Sequence, residues 1–458
     1  MIIATRFPLL DAGYGVDPDG WRIASAAERI ATTHKYSASR LPGYPLHELI
    51  CSIIPFHTPF ALNLGSAIAS AFAAGFLFLI LIEFGRLRAL LASLAFAFTP
   101  AVFIASVTTI DYIWAVAFVL ASLLALLKQK LYWSGALLGL AIGFRITSAL
   151  FLLPLALAGL QREQSRNVLM KLFGSAMLVG MAAYIPVWNR YGVGFLTFSQ
   201  YEYPTVSVLI KRLTLDVWGI TGLVGVSLLM FRLLVSASVR TGFFRHRTLA
   251  TVSLTAIMVQ FAMFLTLPAE AGYLVPAVPF VVILGCNALL KGEFALFATL
   301  VAASSLTLGI DAADRPWSPR PSAVASSSQI GGREIFVDVL KGPVVLDHER
   351  RIGQRKFADE IIAFARSQDR ASVLVVGSWQ PMVGWISNLG MRYEEDTGYT
   401  IHVGKTSVVG LLRKSEVDSI RQQGEPIFFI PGQERYNRSV HGLDLQEAGA
   451  KPFQVGPK

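Results

Sequence analysis

The chain alternates long apolar blocks with short charged interruptions, and that spacing predicts membrane helices. Blocks of the length that crosses a bilayer as a helix, about 20 residues, fall near Ala61–Glu83, Ala89–Val107, Ile110–Leu127, Leu172–Trp188, Lys211–Phe231, Leu249–Leu267, Gly272–Leu289 and Phe294–Ile310. A further block, Leu131–Leu160, is apolar but interrupted by Arg145 and several glycines. It predicts two short, tilted or re-entrant helices in place of one crossing. The basic residues agree: Arg86 and Arg88, Lys128 and Lys130, Arg162 to Lys171, Arg232 to Arg247, and Lys291 share one face only if that block returns to the side it left. The other face then receives the N-terminal segment, Thr108–Asp111, Asn189–Ile210, Pro268–Glu270 and everything after Ile310. The positive-inside bias makes this about ten crossings, with both termini outside the cytoplasm. Trp188, Tyr191, Tyr201, Tyr203, Trp218 and Tyr273 lie near the outer ends of these spans, as an interfacial aromatic belt would.

From Asp311 the pattern changes. Asp314–Gln329 is rich in Pro, Ser and Arg and reads as a linker. Strands are expected at Val344–Leu346, Val373–Gly377, Thr400–Val403, Ser407–Leu412 and Ile427–Ile430. Helices are expected at Gly353–Ser367 and at Ser415–Gln423, the second opened by Ser415 with Asp418 as a capping pair. Alternating strands and helices predict a small α/β domain. The organisation is therefore residues 1–60 as a first outer loop with an interface helix, 61–310 as a membrane domain, 311–330 as a linker and 331–458 as an extracytoplasmic α/β domain. The fold class is a polytopic α-helical membrane protein carrying that domain at its C-terminus.

Composition narrows the function classes. Hydrophobic residues make up 53% of the chain and charged residues only 15%, where a soluble domain carries about a quarter charged. The net charge of +10 lies mostly in loops between apolar blocks, so topology explains it without nucleic acid. Cys51 and Cys286 are too few and too isolated for a disulfide framework. Met1–Leu10 contains no apolar core of the length a secretory signal needs, and the histidines show no ligand spacing.

Chemistry concentrates at the outer face, where charge is costly unless solvated, paired or used. Asp17 and Asp19 flank the rigid Pro18, close to Asp11 and Arg22. Such a pair can supply a general base and a group that orients an acceptor or holds a cation; an Asp-Pro-Asp-Gly turn also forms without any function. Arg40, His47 and Glu48 sit around a short helix beginning near Tyr44-Pro45, where an arginine can grip a lipid phosphate or merely snorkel to the headgroups. Asp111 opens a span, either capping it or joining the site. Arg145 has long apolar stretches on both sides and requires a polar cavity or a carboxylate partner. Glu270, Tyr273, Pro276 and Pro279 form an acidic, proline-broken entry that suits backbone approach to a ligand.

These elements together resemble the integral-membrane glycosyltransferases of the GT-C type, in the bacterial branch of protein mannosyltransferases and lipid A aminoarabinose transferases. The matching pieces are Asp17 and Asp19, Arg40-Leu41-Pro42-Gly43-Tyr44-Pro45, Asp111, Gly143-Phe144-Arg145-Ile146-Thr147 ahead of Leu152-Leu153-Pro154, and Tyr273-Leu274-Val275-Pro276. They cover about residues 5–310 in order and topology. The resemblance implies a multi-pass protein of the bacterial inner membrane that moves a sugar from a polyprenyl-phosphate carrier to a glycan, lipid or protein acceptor, with inversion. Asp17 or Asp19 would be the base, while Arg40 and Arg145 would stabilise the departing phosphate. It also implies a membrane helix ahead of the first outer loop, so the start of this chain departs from the pattern. Glu270 stands where many relatives carry His or Arg, which points to a divalent cation there in place of a phosphate contact. Two readings compete. A secondary transporter also has broken helices and intramembrane charge, but this chain shows no twofold hydropathy repeat. A non-catalytic assembly protein would use the C-terminal domain for docking.

Overall fold

The computed structural model describes residues 1–162, 166–196, 203–236, 246–330, 332–387 and 400–453. Tyr201 of the expected belt and the basic stretch 237–245 lie outside the described residues. The chain opens with α1 (Ile2–Arg6), α2 (Pro18–Thr33) and α3 (Pro45–Ile53). An apolar bundle follows: α4 (Pro59–Leu81), α5 (Arg86–Ala97), α6 (Pro100–Ala105), α7 (Tyr112–Leu127), α8 (Leu131–Phe144), α9 (Leu152–Arg162), α10 (Arg166–Tyr191), α11 (Val206–Leu213), α12 (Leu215–Val235), α13 (Arg247–Thr266), α14 (Val278–Ala288) and α15 (Lys291–Ala303). Among the described residues, five helical segments are long and apolar enough to cross a membrane: Pro59–Phe84, Asn167–Leu196, Leu215–Val235, Arg247–Thr266 and Ala271–Ala288. Tyr112–Leu127, Leu131–Phe144 and Ile146–Arg162 are shorter apolar helices. The protein is a polytopic helical membrane protein.

Several expected spans are broken, each for a local reason. Ala89–Val107 divides into α5 and α6 because Pro100, which has no N–H to donate, starts a new helix at Thr99. Lys211–Phe231 divides at Thr214, and α12 kinks again at Gly219. Gly272–Leu289 begins as a 3-10 turn, Ala271–Ala277, that contains Pro276. The segment from Phe294 stops at Ala303 and enters a strand by Gly309. Leu131–Leu160 forms two short helices as expected. Arg145 is extended (φ −155°, ψ 115°) between them, followed by a 3-10 turn over Ile146–Phe151.

The bundle's tightest packing comes from a glycine stripe on α8. A Cβ at Gly135 would lie 2.3 Å from the Leu172 carbonyl oxygen, one at Gly139 would lie 2.7 Å from that of Ala176, and one at Gly143 would lie 2.6 Å from the Ala183 methyl. Four-residue spacing keeps the three glycines on one helix face, so α8 and α10 pack with their backbones close. In lipid this packing drives helix association, because apolar surface gains little by leaving hydrocarbon.

The C-terminal region has two sheets. Strands β1 (Gly309–Ala312), β2 (Ser326–Ile330) and β3 (Arg333–Asp338) form an antiparallel sheet in the order β1-β3-β2. The stretch expected as a linker thus ends in a strand. Helix α16 (Pro343–Arg366) begins where Val344–Leu346 was expected to be a strand. Pro343 sits in its first turn, and Val344 is buried against Leu10, Ala67, Phe103 and Val107 at the end of the bundle, which fixes the helical start. Next come β4 (Ser372–Val375), α17 (Gln380–Ile386), β5 (Ile401–Val403), β6 (Thr406–Val409), α18 (Lys414–Gln422), β7 (Ile427–Phe429), α19 (Gln433–His441) and β8 (Lys451–Pro452). Their sheet runs β5-β6-β4-β7-β8, with β4 parallel to both β6 and β7. The expected Ser415–Asp418 cap is displaced: the N-cap is Arg413, whose N–H donates to Glu416 at 2.6 Å.

Replacing Gly139 by leucine is expected to abolish the monodisperse folded fraction in detergent, since the backbone of α10 occupies the space; overpacking alone costs about 1–3 kcal/mol. Gly75→Leu, where nothing lies within 4 Å, should leave size-exclusion behaviour unchanged.

Candidate functional site

Five segments meet at the pole of the bundle that faces the C-terminal region. The first is the loop Leu9–Val16 and the start of α2. Asp17 is the N-cap of α2, its Oδ1 accepting from the Asp19 N–H at 2.8 Å. Cap and helix fix both carboxylates in place. Asp19 is buried and doubly engaged: Arg22 Nη1 donates to it at 2.8 Å, and the Arg40 guanidinium pairs with its other oxygen. Asp17 is capped on one oxygen and lies within electrostatic reach of Arg40 and Arg22. Burial lifts its carboxyl above the ordinary aspartate value, against the pull of those two cations.

The second segment, Tyr36–Tyr44, is held by Glu48 on α3. The Glu48 carboxylate accepts from the Tyr36 hydroxyl, from the Ser39 N–H and hydroxyl at 2.6 Å each, and from the Tyr44 N–H at 3.2 Å. His47 is buried beside Trp114 and Cys51, and burial pushes it down to about 4, so it is neutral. The structure thus places His47 and Glu48 beneath the loop, with His47 within electrostatic reach of Asp111. Their loop presents Arg40, whose Nε donates to the Tyr44 hydroxyl at 2.8 Å.

Asp111, Tyr112, Arg145, Glu270 and Tyr273 complete the site. Asp111 precedes α7 but makes no side-chain cap. It receives Arg145 Nη1 at 2.7 Å, with both residues almost fully buried. The guanidinium lies 4.0 Å from the ring centre of Tyr112, 4.7 Å from that of Tyr273 and 5.7 Å from that of Tyr44. The three faces form an aromatic cage that favours a cation. The Tyr112 hydroxyl donates to Glu270. Gly272 permits this, since a Cβ there would lie 2.5 Å from the Tyr112 ring. Burial and the nearby charge of Asp17 both raise the Glu270 carboxyl, while Arg40 and Arg145 oppose them. The charges of Asp17, Arg40, Asp111, Arg145 and Glu270 therefore form one network.

The sequence did not single out the anchors of the first loop. Asn63, buried on α4, donates to the carbonyls of Leu10 at 2.7 Å and Gly13 at 3.0 Å. Arg351 of α16, also buried, donates to those of Val107 at 2.9 Å and Leu9 at 3.3 Å. An asparagine inside an apolar span is a readable signal; Arg351, among the many charges of an amphipathic helix, gives none.

The expected cation site fits poorly. Among the described residues no group of three or more His, Cys, Asp or Glu is placed to hold a metal ion. Glu270 instead accepts from a phenol and faces guanidinium groups.

No family model matches the sequence, and no curated protein matches it. By structure the chain is similar to ArnT from Cupriavidus metallidurans bound to undecaprenyl phosphate. The TM-score is 0.55 at 11% identity, over 98% of this chain and 88% of that one. The apo structure of that ArnT gives a TM-score of 0.53 at 11% identity, over 93% and 87%. This chain has a GT-C-type fold. In that GT-C frame the cluster lies at one pole of the bundle, between membrane helices and the C-terminal region.

Breaking one half of the Arg145–Asp111 pair strands a buried charge, which costs about 3–5 kcal/mol. Asp111→Ala and Arg145→Met should each lower the melting temperature in detergent sharply. The double variant should recover most of the loss, and a purely additive result would show that the two do not act as a pair.

Proposed function

We propose that this protein is a glycosyltransferase of the extracytoplasmic face of a bacterial inner membrane. It moves a sugar from a polyprenyl-phosphate carrier to an acceptor hydroxyl, with inversion. The observation that carries the reading is a singly capped carboxylate, Asp17, next to two arginines at the pole of a GT-C scaffold that faces the C-terminal region. Fold alone does not assign function. The likeness to a protein crystallised with undecaprenyl phosphate, over nearly the whole chain, supports a polyprenyl-phosphate donor.

Asp17 is the base in this scheme. Asp19 is neutralised by Arg22 and Arg40 and serves to hold them. The acceptor hydroxyl oxygen attacks the anomeric carbon while Asp17 takes its proton. The bond from that carbon to the carrier phosphate breaks, and its electron pair leaves with the phosphate, which gains one negative charge. Each guanidinium has five donors. Arg40 spends Nη1 and Nε within the protein, so donors remain for that charge. Cations already in place where charge develops lower the barrier. Arg145 contributes from its cage as a fixed positive charge. A single displacement inverts the anomeric centre, and the Asp17 proton passes to solvent.

Asp17→Asn should lower kcat by about 10²–10⁴, the usual worth of a general base, without changing folded yield. Sugar transfer from a synthetic polyprenyl-phosphate donor is the assay; undiminished turnover would refute the assignment. Activity should fall as pH drops through the raised Asp17 value, because the protonated acid cannot accept a proton. Glu270→Gln removes a like charge, so Asp17 should ionise at lower pH and the acidic limb of the pH–rate profile should move down. A limb that stays put or moves up would separate the two carboxylates.

A further inference from the structure

We infer that the C-terminal domain carries a glycan-binding crevice next to the Asp17 loop, and that it takes one sugar ring of the acceptor. The claim rests on the transferase reading only in calling that glycan the acceptor. The crevice lies at the carboxyl end of β4, a cavity of about 160 Å³. From β4 the chain goes first to β6 on one side and then crosses to β7 on the other. Open parallel sheets bind ligands at such switch points, where the diverging loops leave a gap. The loop after β4 supplies Ser378 and Trp379, and the turn after β7 supplies Gln433.

The opposite wall belongs to the site already described. Val16 and Pro18, the two neighbours of Asp17, line the crevice. Gln354 of α16 bridges the two walls: its Nε2 donates to the Val16 carbonyl at 3.3 Å, while Oε1 is buried and without a partner among the described residues. Gln354 is only 8% exposed, and an unmatched buried amide oxygen costs about 1–3 kcal/mol. A ligand donor would remove that cost. The floor is aromatic, with Trp317 and Trp379 meeting edge to face at 4.7 Å, and Arg315 stands over Trp317 at 5.7 Å near the mouth.

This chemistry suits a sugar ring. An aromatic floor takes the C–H face of a pyranose, and two amides and a hydroxyl supply both donors and acceptors for its hydroxyl groups. The volume of about 160 Å³ is on the scale of a single sugar ring. A ring bound here is one residue along the chain from the proposed base.

The test uses the full-length protein in nanodiscs with maltotriose, cellotriose and chitotriose as probes, read by saturation-transfer NMR and titration. At least one probe should bind, and Gln354→Ala and Trp317→Ala should each weaken it tenfold or more. Trp317 also packs in a core, so Ser378→Trp provides an exposed rim position that fills the crevice without disturbing packing. It should abolish probe binding while leaving the melting temperature and undecaprenyl-phosphate binding unchanged. No binding by any probe at millimolar concentration, or binding unaffected by Ser378→Trp, would overturn the inference. So would loss of undecaprenyl-phosphate binding in that variant, which would make the crevice part of the donor site. Probe binding is read without turnover. Intact crevice binding alongside an active Asp17→Asn variant would therefore sink the catalytic reading and spare the crevice.

Discussion

Holding charge at the rim of an apolar bundle is the constraint around which the rest of this structure is arranged. Arg145 and Asp111 are both almost completely buried, and neither is tolerable there alone. Their pairing dictates what surrounds them. The chain leaves helical geometry at Arg145, between two short helices, and there its side chain reaches Asp111. Three tyrosine faces enclose the guanidinium, and Gly272 lets the stretch from Glu270 to Tyr273 close against Tyr112. The glycine stripe on α8 belongs to the same arrangement. It brings α10 against the helix that ends at Arg145, so backbone packing in lipid sets the position of a charged side chain.

The first loop has a comparable requirement from the other side. Its carbonyls point inward and need donors, since a buried backbone oxygen left unpaired is costly. Asn63 from a membrane helix and Arg351 from the C-terminal region provide them. The membrane bundle and the C-terminal region thus both grip this loop, and Asp17 follows directly from it. A carboxylate held from both sides has little freedom to drift, and the role proposed for Asp17 depends on that fixity. The same joint brings the end of a parallel sheet next to the loop, creating the shared crevice.

The two carboxylates that looked equivalent in the sequence have different surroundings. Asp19 lies between two guanidinium groups, while Asp17 is capped by one backbone N–H and faces another carboxylate. The role proposed for each follows from that difference in environment. Glu48 shows the reverse: an acidic residue at the membrane approach is consumed entirely in shaping the loop that presents Arg40.

Much of this was legible in the residues. Apolar blocks are long-range statistical features, and crossing a bilayer leaves a chain little choice but a helix, so the polytopic class and the break at Arg145 could be read directly. The gathering of Asp17, Arg40, Asp111, Arg145 and Glu270 could be anticipated because charge beside lipid has few places to go. Tertiary contacts decided the rest. Val344–Leu346 has strand-like residues, yet it begins a helix because Pro343 and the end of the bundle select that start. The partner of Arg145, the separation of Asp17 from Asp19 and the role of Arg351 all depend on residues far apart in sequence meeting in space. Hydrophobic periodicity records which face is buried; it carries no information about what lies against that face.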